Sequence, residues 1–313
     1  MRIVVLDRCT VTKGDLDLSP IERLGDVEYY DILSSEEIKS VAAGADVIIC
    51  NKAAITADIM AKTGVKGVFL FATGYNNIDI EYAHSHGIVV CNVPGYSTNS
   101  VVQLTFSLLL ELSLSTSRYT ASVAAGDWMN SKQFSYFPYR MTELKGKVFG
   151  IYGLGTIGAA AAGIALAFGM EVIACTRSPK NMAGVREVSE DELFRTADFI
   201  SFHCPLTDKT HHVLNDRTLS LMKPSAYIIN TSRGGVIDES ALARALNDGR
   251  IAGAALDVLT EEPMSESCPL KGAENCLITP HIAWATPEAR CRLITAVAEN
   301  IEAFISGSPI NKV

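Results

Sequence analysis

Over its first third the chain alternates short β-rich runs at residues 3–6, 27–30, 47–50, 68–71 and 88–90 with helix-like segments such as 35–43. This is the rhythm of βαβ units. Apart from Glu28 the runs are apolar throughout rather than at every second position, which predicts a parallel sheet covered by helices on both faces. A long helix over 97–117 follows, then an aromatic-rich connection carrying Trp128, Phe134, Tyr136, Phe137 and Tyr139. A second βα series occupies 148–152, 171–175, 199–203, 227–230 and 251–257. A last helix over 287–306 sets Leu293, Val297, Ile301 and Phe304 at helical spacing and is expected to cross back onto the first sheet. The pattern predicts an α/β chain of two doubly wound parallel-sheet domains, 1–97 together with 287–313, and 98–286.

Length and composition agree with two domains, since 313 residues exceed the size at which one core keeps growing. Eight cysteines are scattered without a C-x-x-C pair, which argues against a disulfide framework or a zinc ribbon and for a reducing, cytoplasmic setting. A net charge of -8 and the lack of a basic run exclude a nucleic-acid or anionic-membrane surface. The apolar run after Met1-Arg2 is too short for a signal-peptide core and reads as a first strand, so no export is expected. Residues 148–170 carry no charge, yet their six glycines and the change from strand-like to helical spacing exclude a membrane span. The aromatic connection is expected either to cover a sheet edge or to form a subunit interface.

The strand-like run 148–152 leads into Gly153-Leu154-Gly155-Thr156-Ile157-Gly158 and then into a helix with Ile157, Ala161, Ile164, Ala165 and Phe168 on one face. In that context the first glycine permits a tight turn, the second lets the backbone approach a pyrophosphate, and the third allows close helix-to-strand packing. The helix N-terminus then faces the anion. NAD-specific sheets place a carboxylate for the ribose hydroxyls at the end of the next strand. Here Cys175-Thr176-Arg177-Ser178 stands instead, with Lys180 nearby. Thr176, Arg177 and Ser178 are donors suited to a 2'-phosphate, so the cofactor is expected to be NADP(H) in preference to NAD(H).

Three further stretches follow strands of the second series: Asn230-Thr231-Ser232-Arg233-Gly234-Gly235, Asp257-Val258-Leu259-Thr260-Glu261-Glu262-Pro263, and Thr279-Pro280-His281-Ile282-Ala283-Trp284. Carboxyl ends of parallel strands are where open α/β sheets bind ligands. With the glycine turn, these stretches make the chain resemble the D-2-hydroxyacid dehydrogenases along nearly its whole length, and particularly their glycerate dehydrogenase or hydroxypyruvate reductase branch. The resemblance implies a Rossmann dinucleotide-binding domain and a flavodoxin-like substrate domain, with the active site in the cleft between them. It implies Arg233, Glu262 and His281 as the catalytic set, with Glu262 chosen over Glu261 on that ground alone. It marks Ala72, Thr73 and Gly74 as a loop whose amides hold the substrate carboxylate. His203, Cys204, Pro205, Thr231, Ser232, Asp257 and His281 are implied around the cofactor, Asp257 near the nicotinamide carboxamide. Trp284 points to the glycerate branch and to a wall of the substrate pocket, whereas Gln103 departs from the glutamate that many relatives carry. A homodimer is implied as well.

The chemistry suits these residue types. Charge develops on the carbonyl oxygen as hydride arrives, and a protonated imidazole in hydrogen-bond reach neutralises it. A neighbouring carboxylate favours the imidazolium. A guanidinium fork bridges a carboxylate and an adjacent carbonyl better than a lysine does. His281, Glu262 and Arg233 fill those roles. The expected reaction interconverts a small 2-oxo acid and its D-2-hydroxy acid, with hydroxypyruvate/glycerate or glyoxylate/glycolate favoured. Two competing readings are a dinucleotide-sensing corepressor-like protein and a dehydrogenase for formate or phosphite. His84-x-His86 and His211-His212 lack a paired Cys or carboxylate at ligand spacing, so no metal is expected.

Overall fold

A computed structural model describes all of residues 1–313. Its elements are β1 (Arg2–Val5), α1 (Ser19–Glu22), β2 (Asp26–Tyr29), α2 (Ser35–Val41), β3 (Val47–Cys50), α3 (Ala57–Thr63), β4 (Gly67–Leu70), α4 (Ile80–Ser85) and β5 (Val89–Cys91). There follow α5 (Thr98–Leu114), α6 (Thr116–Ala124), β6 (Val148–Tyr152), α7 (Thr156–Ala167), β7 (Glu171–Cys175), β8 (Val185–Glu187), α8 (Glu190–Thr196) and β9 (Phe199–Phe202). The chain closes with α9 (Asp216–Leu221), β10 (Tyr227–Asn230), α10 (Glu239–Asn247), β11 (Gly253–Leu256), β12 (Cys276–Ile278) and α11 (Pro287–Ile305). It divides into two compact units, Met1–Ser97 with Trp284–Val313, and Thr98–Ala283. No single helix is long and apolar enough to cross a membrane.

The first unit is a parallel five-stranded sheet in the order β2-β1-β3-β4-β5. One face is covered by Ile38, Ile59 and Ala83 from α2, α3 and α4, the other by Ile21 of α1 and by Leu293, Val297 and Ile301 of α11. Both faces are therefore dry, as unbroken apolar strands require. α11 is started by the Thr286 hydroxyl, which accepts from the Ala289 amide, and by Pro287, whose missing N–H is no loss in a first turn.

The second unit is a parallel seven-stranded sheet in the order β12-β11-β10-β9-β6-β7-β8. Strand order reverses between β6 and β9, which makes the crevice beyond their carboxyl ends the ligand position of a doubly wound sheet. Two short strands, β8 and β12, complete the edges.

Two helical expectations are corrected. The single helix expected over 97–117 ends at Leu114, and α6 leaves α5 at 59°. Ser115 takes a left-handed conformation, and the Glu111 carboxylate accepts from the Ser117 amide at the start of α6. In α7 the buried stripe is Gly158, Ala161, Ala162 and Ala165, while Ile164 and Phe168 of the expected apolar face are exposed. Small residues win because α7 must approach both β6 and α5 closely.

Candidate active site

The glycine turn sits at the strand-order reversal. Gly153 has φ 102°, and a Cβ there would meet the His203 carbonyl at 2.8 Å and the Cys204 nitrogen at 2.9 Å. A Cβ on Gly158 would meet the Gly153 carbonyl at 2.3 Å. A Cβ on Gly155 would meet nothing within 4 Å, so this glycine keeps open the space in front of α7. Gly155 is also the N-cap, and no side chain caps the helix. Leu154 is buried, whereas Thr156 is exposed and Ile157 half-buried. Beyond β7, Thr176 bonds the Ser178 carbonyl at 3.3 Å, and the amides of Lys180 and Asn181 both donate to Glu187. Arg177 and Ser178 stay exposed. His203 lies across the turn with its Nε2 2.9 Å from the Ser201 hydroxyl, and desolvation lowers its pKa to about 4. Cys204 is buried and its thiol is pushed up to about 11 by that burial, while Pro205 is exposed.

The Arg233 turn is built on Asn230, which is fully buried at the end of β10. Its Oδ1 accepts from the Ser232 amide and hydroxyl, and its Nδ2 donates to the Arg233 carbonyl. The Thr231 hydroxyl lies 3.1 Å from that of Thr105 on α5. Arg233 is half-buried, and one of its nitrogens donates to the Ser232 carbonyl. Gly234 then lies directly against the backbone of Leu259. That contact joins the Arg233 turn to the loop carrying Glu262. The loop is pinned further because the Thr260 amide donates to Glu239 at 2.6 Å and the Leu259 amide to Glu262 Oε1 at 3.0 Å.

Glu262 Oε2 is 2.6 Å from His281 Nδ1. His281 occupies a left-handed backbone conformation, φ 54°, uncommon for a residue with a side chain. The buried Asp257 carboxylate holds it there, since one oxygen accepts from the Thr279 hydroxyl and the Ile282 amide and the other from the Ala283 amide. The His281 amide itself donates to the Asp257 carbonyl at 2.9 Å. These contacts make Asp257 the organiser of the His281 loop.

In the first unit, Ala72, Thr73 and Gly74 follow β4 as a loop. The Ala72 carbonyl accepts from the Val93 amide and the Thr73 carbonyl from Asn92 Nδ2, while the N–H groups of all three residues have no partner inside the chain. Trp284 falls in this unit, half-buried against the core that includes Leu293 and Val297.

Residues 106–283 match the NAD-binding domain of the D-isomer specific 2-hydroxyacid dehydrogenases. A hydroxypyruvate reductase of Blautia hydrogenotrophica is 40% identical over 100% of this chain and 99% of its own. The chain belongs to the D-isomer specific 2-hydroxyacid dehydrogenase family. A glyoxylate reductase of Thermococcus litoralis is 43% identical over 78% of this chain and 75% of its own. A solved acyclic imino acid reductase in complex with NADPH and D-Arg superposes with a TM-score of 0.87, at 32% identity and full coverage of both chains.

As a member of this family the chain catalyses nicotinamide-linked oxidoreduction of 2-hydroxy acids. The dinucleotide turn fits that cofactor: Gly155 leaves room for a backbone approach, and the first amides of α7 lack a side-chain cap and face it. In this dehydrogenase the dyad geometry also separates the adjacent acids, because Glu262 and not Glu261 meets His281. Sequence reading passed over Asn230 and Glu239. An asparagine at the end of a strand before a turn is a signal for the first, since its side chain can bond the backbone two residues on. Glu239 bonds Thr260 across 21 positions and leaves no local trace.

Proposed function

We propose that this dehydrogenase reduces hydroxypyruvate, or the smaller glyoxylate, with His281 as the acid, Glu262 as its partner and Arg233 as the substrate clamp. The observation that carries the reading is the 2.6 Å contact between Glu262 and His281 Nδ1. With Nδ1 bonded to a carboxylate, Nε2 is the ring nitrogen that passes the proton to the developing alkoxide. Arg233 spends one nitrogen on the Ser232 carbonyl, and the rest of its fork suits the substrate's carboxylate and carbonyl oxygens. The unpaired amides of Ala72, Thr73 and Gly74 are suited to a carboxylate. The bound nicotinamide supplies the hydride. Gly153, Leu154, Gly155, Thr156, Ile157 and Gly158 would receive the pyrophosphate, with His203, Cys204, Pro205, Thr231, Ser232, Asp257 and His281 around the remainder.

NADP(H) is the proposed preference. Its support is the exposed Arg177 beside Thr176 and Ser178, with the nearby Glu187 carboxylate engaged by two backbone amides. A homodimer in a reducing cytoplasm is proposed too, supported by the exposed aromatic connection and by eight free cysteines.

The test is absorbance at 340 nm with NADH and NADPH against hydroxypyruvate, glyoxylate, pyruvate and a bulky 2-oxo acid. Fastest oxidation with a small acid is expected, and His281→Ala should lower turnover by about 10² to 10⁴. Preference for the bulky acid, or unchanged turnover in His281→Ala, would overturn the corresponding assignment.

A further inference from the structure

The loop at 72–74 is held from behind by hydrogen bonds. Three asparagines form that support. Asn92 donates from its side chain to the Thr73 carbonyl at 2.6 Å, and its neighbour Val93 takes the Thr73 hydroxyl at 2.7 Å and gives its amide to Ala72 at 2.9 Å. Asn92 is held in turn by Asn300 on α11, fully buried, whose Nδ2 donates to the Asn92 carbonyl at 2.8 Å. Asn300 Oδ1 accepts from Asn311 Nδ2 at 2.8 Å, and the Asn311 carbonyl accepts from the Asn92 amide at 3.2 Å. Asn311 sits at φ 52° in a segment that pairs with β5 through Cys91 and Lys312.

We infer that Asn92, Asn300 and Asn311 are positioning residues for substrate: a closed amide network, spanning β5, α11 and the last residues of the chain, sets the pitch of the loop at 72–74. The inference rests on the proposed role of that loop as holder of the carboxylate. Asparagine suits each link, because its amide donates and accepts at once and a buried chain of such bonds is costly to leave half made. An apolar residue at 300 would match the packing of Leu293, Val297 and Ile301 but would leave the Asn92 carbonyl and Asn311 Nδ2 without that partner.

The experiment compares glyoxylate with glyoxylamide in the parent, in Asn300→Asp and in Asn311→Gly. Aspartate keeps the size of residue 300 and its bond from Asn311, but it sets an oxygen against the Asn92 carbonyl. Glycine adopts φ 52° readily, so Asn311→Gly deletes the side-chain bond and spares the backbone. Loss of a buried bond of this kind should raise KM for glyoxylate about tenfold in Asn300→Asp and by less in Asn311→Gly. kcat should stay within about threefold, KM for the dinucleotide should not move, and the preference of acid over amide should narrow. A lowered melting temperature with KM for glyoxylate unmoved in both variants would reduce the network to a fold support. Equal use of acid and amide by the parent would remove the reading of the loop, and the inference with it.

Discussion

A methyl group built on Gly234 would stand 1.9 Å from the carbonyl carbon of Leu259 and 2.3 Å from the nitrogen of Thr260. Backbone cannot yield as a side chain does, so Gly234→Ala must part the Arg233 turn from the Glu262 loop. The expected result is a fall of about 10² or more in kcat/KM, since displacements near 1 Å at a reacting centre have that effect. Stability should drop by at least about 1–3 kcal/mol, as for overpacked cores. Dinucleotide affinity should change little, and steady-state kinetics beside fluorescence titration separates the two. His203 offers a pH prediction. Its pKa is lowered to about 4 by burial, from an ordinary value near 6.5, so the unfolded chain binds its proton first as pH falls. Its contribution to stability is complete above about pH 6.5 and is lost on the way down to about pH 4, with a slope of at most ~1.4 kcal/mol per pH unit. His203 as a residue is half-buried, so the measured slope should fall below that bound. Urea titrations at pH 7 and pH 4.5 should show a smaller difference for His203→Gln than for the parent; equal differences would discard the assignment.

At the scale of elements, the strand, turn and helix from Val148 to Ala167 do most to define the dinucleotide turn, and on the proposed reading the loop after β7 selects between the two dinucleotides. Replacing Arg177 with glutamate should raise KM for NADPH by about ten- to a hundredfold, the effect of losing a charge-assisted fork on phosphate, and leave KM for NADH equal or lower. No change with NADPH would end the case for the phosphate. This stretch was legible in sequence because its information is local: strand spacing, three glycines at fixed offsets, and a helix in one continuous run. The central strands of the parallel sheets were legible for the same reason, since runs such as Val47–Cys50 are unbroken and apolar, whereas the edge strand Val185–Glu187, with two charged residues of three, was not. The break at Ser115 was not, because it depends on Glu111 capping the second helix rather than on a glycine or proline. The face of α7 was misread because hydrophobicity counts Ile164 and Phe168 as core, while close packing asks for Ala161, Ala162 and Ala165. In the site, residue types and order could be read along the chain. The Asp257 and Glu239 clamps join positions 21 to 26 apart, and only the folded chain reveals them.

For the whole molecule, the connection between α6 and β6 is the feature that a single chain leaves unexplained. Phe134 is 95% exposed, Met129 86% and Phe137 72%, with Trp128 half out. These side chains do not hang on a slack loop. Tyr119 donates to the Tyr139 carbonyl, Trp128 to the Phe134 carbonyl, and the Arg118 guanidinium sits 4.1 Å over the Tyr139 ring. An ordered apolar surface of this kind favours burial, each large side chain gaining about 1.5–3 kcal/mol when fully covered. In the proposed homodimer a second copy of the same segment would cover it, because a twofold interface pairs a patch with itself. Light scattering should therefore give the parent twice the chain mass, and the double variant Phe134→Asp with Phe137→Asp the mass of one chain at micromolar concentration. Both charges would have to be desolvated in the interface, and without pairing that penalty exceeds the apolar gain. The separated chain should keep its dinucleotide affinity, since Gly153 to Gly158 lie within one unit of one chain. A parent of single mass would overturn the proposed homodimer; a double variant that stays paired would move the interface elsewhere.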